Sequence, residues 1–597
     1  MNKIFIDFET YYDKQFSLTK MSTPEYIMDP RFKVLGCSIA VNDGPVQWYE
    51  GETLPDLDWA DSEIIAHNCY FDGMILFLKY GIRAKRWCCT VSLARAITSF
   101  EKHNLNFLAH SLNLNAKLDG LTEGATESDE KLIEYAIRDT EICRGIYNRL
   151  IPVLPESERE LMHLCLRWGI EPSLRVNIPA MLKAADHEEA ERHKIIAESG
   201  VDESILTSNP KFAKQISDMG LDPPTKISLE TGMVTLALGQ NDAEYQEFIH
   251  QHIAPDELKI WNARKAAKSI INIQRPRKLA KIASIMPDNT LPMPLKYYGA
   301  ITGRMSGHDG FNVQNLPRKS ASRTAIEAPK GHVIVVADSS QIELRLNAWW
   351  SGEQWILNEL VKPDGDVYKQ TAAKQLNKPF DSITPDERQF AKAVVLGCGY
   401  GMGSEKFRKY CASGPMGMNP WFLSSEEADN TIKAYRRQNR KIVKSWEQHH
   451  EYLNFIMPRN RKPGKTLPDV TVGPIILGNS IVNLPNGMGL LYHNLEMTDE
   501  GCSFLYGGTR HYIYGAKLQQ NIVQALARIV VMDQLLEIER QGIRTVSSTH
   551  DEVIAIAKES EAEQTYATMR QIMTTPPSWA PNLPLDCDGG FAENYIK

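Results

Sequence analysis

The amino-acid sequence predicts a multidomain protein of mixed α/β and α+β class, and three observations support this prediction. The chain has 597 residues, 43% of them hydrophobic and 24% charged, which is too long for one ordinary hydrophobic core. Residues 1–150 alternate short apolar runs with helical patterns, as α/β domains do. Residues 156–290 and 361–460 are largely helical in pattern, and apolar strand patterns lie between and after them.

The N-terminal segment contains its predicted elements in alternation. Apolar runs predict strands, and longer amphipathic patterns predict helices. The strands are Lys3–Phe8, Val34–Ala40 and Ile64–Ala66, and the helices lie around Gly73–Tyr80 and Leu132–Leu150. Pro152 and Pro155 then interrupt any helix and mark a domain boundary.

Two predicted strand motifs in the C-terminal half end in acids. Val333–Ala337 is typical of a buried strand, and a helix with apolar spacing follows from Ile342 to Trp350. Arg544–Ile556 predicts two strands joined by a tight turn at His550-Asp551. Both motifs therefore place a carboxylate at the end of an apolar strand.

The distribution of charge leaves two interpretations of a basic segment open. A net charge of −7 by itself argues against nucleic-acid binding. Residues 258–287, however, contain no Asp or Glu. Their basic residues are Lys259, Arg264, Lys265, Lys268, Arg275, Arg277, Lys278 and Lys281. Such a stripe is either a solvated helix face or a surface that binds phosphates.

Cysteine usage and hydropathy predict the compartment. The ten cysteines form no CxxC pair, which favours a reducing environment and argues against a zinc ribbon. No apolar run approaches the roughly 18 residues of a membrane-spanning helix, and the N-terminus lacks the features of a signal peptide. We therefore expect a cytoplasmic protein that does not associate with a membrane.

Four acids in the N-terminal segment are the first candidate site. Asp7 and Glu9 lie two apart on an apolar strand and so share one face. Asp72 follows the third strand, and Asp139 lies four residues after Tyr135, on the same helix face. An isolated Asp-x-Glu is more often a strand-end pair, but carboxylates at a buried strand end require compensation by a cation. Hard oxygen ligands suit Mg²⁺ or Mn²⁺, and two such ions about 3.5–4 Å apart can cleave a phosphodiester.

These segments resemble the three motifs of the DnaQ-like 3′–5′ exonucleases of the DEDD type, tyrosine subclass. The motifs are DFET at 7–10, NCYFD at 68–72 and YAIRD at 135–139. The resemblance covers residues 1–150 and implies an RNase H-like domain that hydrolyses single-stranded 3′ ends. It implies that Asp7, Glu9, Asp72 and Asp139 are metal ligands and that Tyr135 positions the attacking water.

A second candidate site combines two acids with a cationic helix. Asp338 follows the strand 333–337, and Asp551 lies at the hairpin turn, so both could hold Mg²⁺ ions around a nucleotide triphosphate. Arg388, Lys392 and Leu396 are spaced by four and share a helix face. The two cations could grip phosphate oxygens, and Lys392 could protonate a leaving pyrophosphate. Taken alone, this helix would more often be a surface helix with an apolar edge.

These segments closely resemble motifs A, B and C of family A DNA polymerases, the family of bacterial DNA polymerase I. The matching segments are DSSQIELR at 338–345, RQFAKAVVLGCGYG at 388–401 and HDE at 550–552. Further likenesses are TGRMS at 302–306, VQNLP at 313–317 and the glutamine-rich helix after Tyr514-Gly515. With the exonuclease motifs, the resemblance covers nearly the whole chain.

The resemblance implies a role for each matching residue. Asp338 and Asp551 would be catalytic metal ligands, two ions per active site, and Glu552 would lie beside the primer terminus. Glu343 would exclude a ribose 2′-OH, and Arg388, Lys392, Leu396 and Tyr400 would bind the dNTP. The expected contacts to primer–template DNA are Arg304, Gln314, Asn315, Gln524, Lys265 and Lys268.

The predicted organisation follows a right hand behind the exonuclease. Residues 1–150 form the exonuclease domain and 151–597 the polymerase domain. Within the latter, the thumb covers about 156–290, the palm about 291–360 and 484–597, and the fingers about 361–483. Ser339, Gln389 and Leu396 depart from the common family pattern, and Leu396 replaces an aromatic residue that packs against deoxyribose.

The function expected from the resemblance is DNA synthesis with proofreading by a monomer. The compact arrangement resembles the bacteriophage branch, which implies replication of a phage genome in an infected bacterium. A genome containing 2-aminoadenine is a minority interpretation that no single residue supports. The alternatives are a host repair polymerase and an exonuclease with an inactive, DNA-binding polymerase half. Partners that confer processivity are not predicted.

Overall fold

A computed structural model of the protein describes residues 1–118, 130–228, 231–458 and 468–596. Within these ranges, no helix combines the length and apolarity that a membrane crossing requires. The chain combines an N-terminal α/β unit with a larger α+β unit, as the sequence predicts.

A five-stranded sheet organises the N-terminal unit. Its strand order is β3-β2-β1-β4-β5, with β1 antiparallel to β2 and parallel to β4. The central strand β1 is longer than its predicted core, because pairing with β2 extends to its last residue. The elements are β1 (Asn2–Thr10), α1 (Thr23–Met28), β2 (Val34–Val41), β3 (Gln47–Glu50), β4 (Ser62–Ala66), α2 (Cys69–Tyr80), β5 (Arg86–Cys89), α3 (Thr90–Ile97), α4 (Leu105–Ser111) and α5 (Glu130–Leu150).

The next segment contains the predicted thumb. Its first helix packs on both the N-terminal sheet and the palm, so the junction near residue 150 is not a loose linker. The bounds of the domains themselves stay a prediction. The elements are α6 (Glu156–Ile170), β6 (Arg175–Val176), α7 (Ile178–Ser199), α8 (Glu203–Thr207), α9 (Asn209–Asp218), β7 (Thr225–Ile227), β8 (Val234–Leu236), α10 (Ala243–Gln251), α11 (Pro255–Lys268) and α12 (Ile271–Ile285).

A succession of helices then follows the first palm strand. The sequence places this strand at 333–337, and pairing on both sides extends it to His332–Ser339. The elements are β9 (Leu295–Lys296), β10 (Ser306–Gly307), α13 (Ala321–Thr324), β11 (Ile326–Glu327), β12 (His332–Ser339), α14 (Ile342–Ser351), α15 (Gln354–Leu360), α16 (Val367–Leu376), α17 (Pro385–Cys398), α18 (Ser404–Ala412), α19 (Ser425–Gln438) and α20 (Arg440–Ile456).

The last segment returns to the palm and completes its sheet. The strand order is β20-β21-β12-β22, so β12 lies between two strands from the C-terminal part. Helix α21 packs behind this sheet and against α14 and α20. The elements are β13 (Val470–Val472), β14 (Ile475–Leu477), β15 (Ile481–Asn483), β16 (Gly489–Leu491), β17 (His493–Thr498), β18 (Gly501–Tyr506), β19 (Thr509–Tyr512), α21 (Gly515–Arg540), β20 (Arg544–Thr549), β21 (Glu552–Lys558), α22 (Ala562–Met573) and β22 (Cys587–Ala592).

Candidate active sites

The four predicted acids of the N-terminal unit come together at one end of its sheet. Asp7 and Glu9 share a face of β1, as their period-two spacing requires. Asp72 lies in the first turn of α2, and its Oδ1 accepts a hydrogen bond of 3.1 Å from the backbone N–H of Phe8. Asp139 is buried on α5, which packs across β1 and β2.

Burial raises the pKa of all four acids, and neighbouring carboxylates add to this rise at two of them. Burial, then the charges of Glu9, Asp72 and Asp139, raise the pKa of Asp7 well above its ordinary value. Burial and Asp139 raise the pKa of Glu9 to about 8, and burial raises that of Asp72 to about 7. A carboxylate whose pKa is raised in this way is stabilised in its charged form by a nearby cation.

Lys117 supplies a cation that the motifs did not predict. Its ammonium donates a hydrogen bond to Oδ2 of Asp139 and lies 4.6 Å from the ring centroid of Tyr135. Its charge also lowers the pKa values of Asp7 and Glu9. Lys117 lies 22 residues before Asp139, so no local spacing rule could have linked it to the site.

The residues at this site fit a divalent metal centre. Their donors are carboxylate oxygens, which Mg²⁺ and Mn²⁺ prefer, and Oδ1 of Asp139 is buried without a hydrogen-bond partner among the described residues. Across the described ranges, no three acidic, histidine or cysteine side chains are arranged to hold an ion as they stand. The carboxylates would therefore have to move together, and Asp139 away from Lys117, to bind one.

The two predicted palm acids face each other across neighbouring strands. Asp338 on β12 is opposite Glu552 on β21, and the backbone N–H of Ser339 donates a 2.9 Å hydrogen bond to the carbonyl oxygen of Asp551. His550, with φ of 58°, forms the tight turn that directs Asp551 toward Asp338. Burial and the charge of Asp338 raise the pKa of Asp551 to about 6.

Glu552 is buried behind this pair rather than exposed beside it. Its side chain is 4% exposed and forms an ion pair of 3.2 Å with Arg323. The hydroxyl of Tyr595 also donates a hydrogen bond to Oε1 of Glu552. These contacts stabilise the hairpin that carries Asp551, and a place for Glu552 beside the primer terminus stays a prediction.

Helix α17 carries both predicted cations, and Lys392 is the one that interacts with a palm acid. Nε of Arg388 donates a 2.5 Å hydrogen bond to Asp366, which also caps α16. Lys392 is half-buried, and burial together with Arg318 and Arg388 lowers its pKa, while Asp551 opposes that shift. Leu396 is on the same face, but α17 ends at Cys398. Tyr400 therefore lies two residues beyond the end of the helix.

A polar network surrounds the predicted sugar-selecting residue. Glu343 accepts a hydrogen bond from Arg304 and a weaker one, of 3.5 Å, from Gln524. Thr302 donates to Gln524 at 2.8 Å, so three of the resembling segments meet at Glu343. Gln314 donates a 2.9 Å hydrogen bond to the carbonyl oxygen of Ser548, and Asn315 is exposed.

The basic stripe of the predicted thumb is only partly available to a phosphate backbone. Lys265 and Lys268 are exposed on α11. Arg264 is fully buried, donating to the carbonyl oxygen of Leu206 and stacking on Phe212 at 4.4 Å. Arg277 forms ion pairs with Asp186 and Glu189, and Lys281 with Glu25. The basic residues of this segment therefore do not form one continuous basic surface.

The other two departures from the family pattern differ in burial and in hydrogen bonding. The hydroxyl of Ser339 is buried without a hydrogen-bond partner among the described residues. Gln389 is partly exposed and donates a hydrogen bond of 3.2 Å to the carbonyl oxygen of Met416. Nothing in these contacts explains why Gln389 replaces an arginine.

Known proteins resemble this chain over its whole length. A DNA polymerase of Bacillus phage SP02 is 27% identical and aligns with 100% of both chains. DNA polymerase I of Aquifex aeolicus is 25% identical over 69% of this chain and 74% of that relative. The family model of DNA polymerase family A matches residues 186–456, and a 3′–5′ exonuclease model matches residues 57–155.

The chain carries a polymerase domain that is similar to DNA polymerase family A. The polymerase carries a 3′–5′ exonuclease domain in its N-terminal part, and both domains are of kinds that generally depend on divalent metal ions. The matched ranges include Asp72, Asp139 and Asp338, whereas Asp7 and Asp551 lie outside them.

A solved structure supports the same fold. The POL domain of Pol1 from M. smegmatis, in complex with DNA primer–template and dNTP, superposes with a TM-score of 0.66. The superposition covers 100% of this polymerase and 96% of that chain, at 15% identity. At that identity the likeness shows a shared fold.

Proposed function

We propose that the polymerase copies a DNA template from dNTPs and that its exonuclease removes 3′-terminal nucleotides, which provides proofreading. One observation carries the proposal: Asp338 and Asp551 face each other in the palm sheet, and Lys392 of the fingers is close enough to interact with Asp551. Two acids with a neighbouring cationic helix suit a nucleotide triphosphate bound through metal ions.

In the polymerase site, each side chain has a role in positioning. Asp338 and Asp551 would hold two Mg²⁺ (or Mn²⁺) ions, which when bound activate the primer 3′-OH and stabilise the leaving pyrophosphate. Arg388 and Lys392 bind phosphate oxygens, and the lowered pKa of Lys392 suits proton donation to pyrophosphate. Glu343, held by Arg304, limits the space at the sugar 2′ position.

In the exonuclease site, metal ions would activate a water molecule for hydrolysis. Asp7, Glu9, Asp72 and Asp139 would hold a second pair of ions, and Tyr135 orients the attacking water. The raised pKa values of Glu9 and Asp72, about 8 and 7, are lowered when a cation binds, so the acids become ligands at neutral pH.

DNA contacts are proposed from exposed or polar residues of the palm and of the predicted thumb. Arg304, Gln314 and Gln524 can contact minor-groove acceptors, which are similar on all base pairs and so report pair geometry. Asn315, Lys265 and Lys268 can contact the backbone. The full-length likeness to a phage polymerase supports replication of a phage genome. We propose that the enzyme acts as a monomer in the cytoplasm of the host.

A primer-extension assay tests both activities in one design. The wild type, Asp338→Ala/Asp551→Ala and Asp7→Ala/Glu9→Ala are each incubated with a labelled primer, a template, Mg²⁺ and four dNTPs. The wild type should extend the primer. The palm variant should only shorten it, and the exonuclease variant should extend it without shortening on withdrawal of dNTPs. A wild type that shortens but never extends would refute the polymerase half of the proposal.

A further inference from the structure

The far end of the predicted thumb has a hydrophobic core of its own. The cluster that we call the thumb tip contains Leu206, Phe212, Tyr245, Phe248 and Trp261. It is separate from the cluster that joins the palm to the exonuclease. Helix α7 connects the two, because Met181 belongs to the palm-side cluster and Ile196 to the thumb tip. Its 22 residues span roughly 33 Å at 1.5 Å per residue.

The thumb tip reaches across to the fingers. Glu244 and Glu247 lie three apart on α10, and both pair with adjacent cations of α18. Nζ of Lys409 lies 2.5 Å from Oε1 of Glu244, and Arg408 forms an ion pair with Glu247. Beside them, the rings of His250 and Phe422 stack with centroids 4.0 Å apart.

The fingers return to the palm, which closes a loop of packed elements. Helix α18 packs against α17 and α19, and α20 packs along α21 of the palm. Trp446 on α20 donates a 3.1 Å hydrogen bond to the carbonyl oxygen of Gly399, which follows α17. At its base, the thumb pairs with the palm through Val176 and Ile326. Palm, thumb, thumb tip and fingers therefore form a ring of contacts.

We propose that the contact between α10 and α18 closes the polymerase around bound DNA, so that the chain contains its own sliding clamp. The inference rests on the proposed function, because the DNA is taken to lie between thumb and fingers. The ion pairs are partly exposed, with Lys409 45% and Glu247 30% exposed. Exposed pairs are individually weak and are screened by salt, so the contact can open to admit DNA and then close.

Crosslinking tests the ring directly. The ten native cysteines are buried, so Glu244→Cys/Lys409→Cys can be linked selectively with a short bis-maleimide. When it is linked before DNA is added, the enzyme should extend a primer on a linear template, which can thread through the ring. On a primed circular template, extension should fall at least tenfold relative to the unlinked variant. The control Asp429→Cys/Lys433→Cys links residues within α19 and should use both templates.

The outcomes separate the clamp from the proposed function. Equal use of circular and linear templates by the linked enzyme overturns the clamp, and so does loss of both templates, which would mean that the contact blocks the DNA site. Failure of the unlinked variant and of the wild type on every template would instead contradict the proposed polymerase activity.

A charge exchange provides a second, independent measurement. Lys409→Glu should shorten the product made in one binding event about threefold, in the presence of a DNA trap. Glu244→Lys/Lys409→Glu should restore it, while the rate of the first incorporation stays unchanged in both variants. Product lengths equal to those of the wild type in Lys409→Glu would argue against the clamp.

Discussion

The exonuclease acids and the polymerase acids are neutralised in different ways. In the exonuclease site, burial and then neighbouring carboxylates raise the pKa values of Asp7 and Glu9, and Lys117 is the cation in contact with Asp139. In the palm, the buried acid next to the site, Glu552, has its own arginine and tyrosine, Arg323 and Tyr595. Excess negative charge is therefore greater in the exonuclease site, which should depend more on bound cations for stability as well as for catalysis.

Removal of one metal ligand from each site is expected to have the largest effect. Asp551→Asn should lower the rate of extension by roughly a thousandfold, and Asp139→Asn the rate of shortening by a similar factor, because each removes charge stabilisation from the transition state. Single-turnover assays measure both rates in each variant. Loss of both activities in either variant, with its fold intact, would contradict separate sites for extension and shortening.

Substitution of Lys117 should distinguish the two sites by stability. Lys117→Met leaves Asp139 without its partner, and a partly buried pair of this kind is worth about 1–2 kcal/mol, less than the ~3–5 kcal/mol of a fully buried one. In EDTA, the melting temperature of the exonuclease unit should fall by roughly 2–6 °C, and the difference should shrink in Mg²⁺. Lys85→Met, which breaks the exposed pair with Asp61, is the matched control. If the melting temperature falls as much in Mg²⁺ as in EDTA, then Mg²⁺ does not take the place of the Lys117 ammonium beside Asp139.

Asp366 should affect the polymerase site alone. Its carboxylate binds Nε of Arg388 and leaves the terminal nitrogens of the guanidinium for phosphate. Asp366→Asn should raise the KM for dNTP about fivefold to tenfold, with kcat little changed. The guanidinium of Arg388 would lose its fixed orientation, which is worth about 1 kcal/mol of dNTP binding. In the background of Arg388→Ala the substitution should have no further effect. Glu387→Gln, which removes another ion pair of α17, is the control, and an equal rise in KM there would point to a general effect on the helix.

The pH dependence of stability should be steeper for the exonuclease unit. The pKa of Glu9 is raised to about 8 and that of Asp72 to about 7, so the folded state binds more protons than the unfolded state above about pH 4. This contribution is complete at low pH and is lost as the pH rises to about 8. In EDTA, the melting temperature should fall between pH 5.5 and 8.5, and Asp7→Asn/Glu9→Gln should flatten that fall by roughly 2–4 °C. An equal fall in melting temperature in the wild type and in the variant would contradict this prediction.

Leu396 offers the smallest expected effect. Leu396→Phe adds apolar area where the incoming sugar is proposed to pack, which is worth about 0.5–1 kcal/mol. The KM for dNTP should fall about threefold, and the discrimination against dideoxynucleotides should shift, whereas the exonuclease rate stays unchanged. Steady-state incorporation of dNTP and ddNTP measures both quantities. Identical selectivity in the two proteins would exclude contact between Leu396 and the sugar.

Local patterns predicted the parts of both sites that depend on local geometry. Asp7 and Glu9 follow from the period of a strand, and Asp551 follows from a turn between two apolar runs. Lys117 and Asp366 escaped prediction because each reaches its partner across 22 residues of chain. Arg264 was misjudged because a basic run does not reveal which of its members a helix buries. The contact between α10 and α18 joins segments about 160 residues apart, such as Glu247 and Arg408, so no sequence spacing indicates it.

The placement of β12 has a consequence for how the protein is made. All five strands of the exonuclease sheet lie between Asn2 and Cys89, so that sheet can form early in synthesis. Strand β12 lies between β21 and β22. One edge of this apolar strand therefore stays unpaired until the ribosome has made Glu552–Lys558, and the other until it has made Cys587–Ala592. At ~5–20 residues per second, this takes roughly 10 to 50 s. Unpaired apolar edges promote aggregation, so we expect the nascent polymerase half, rather than the exonuclease, to require chaperones during translation.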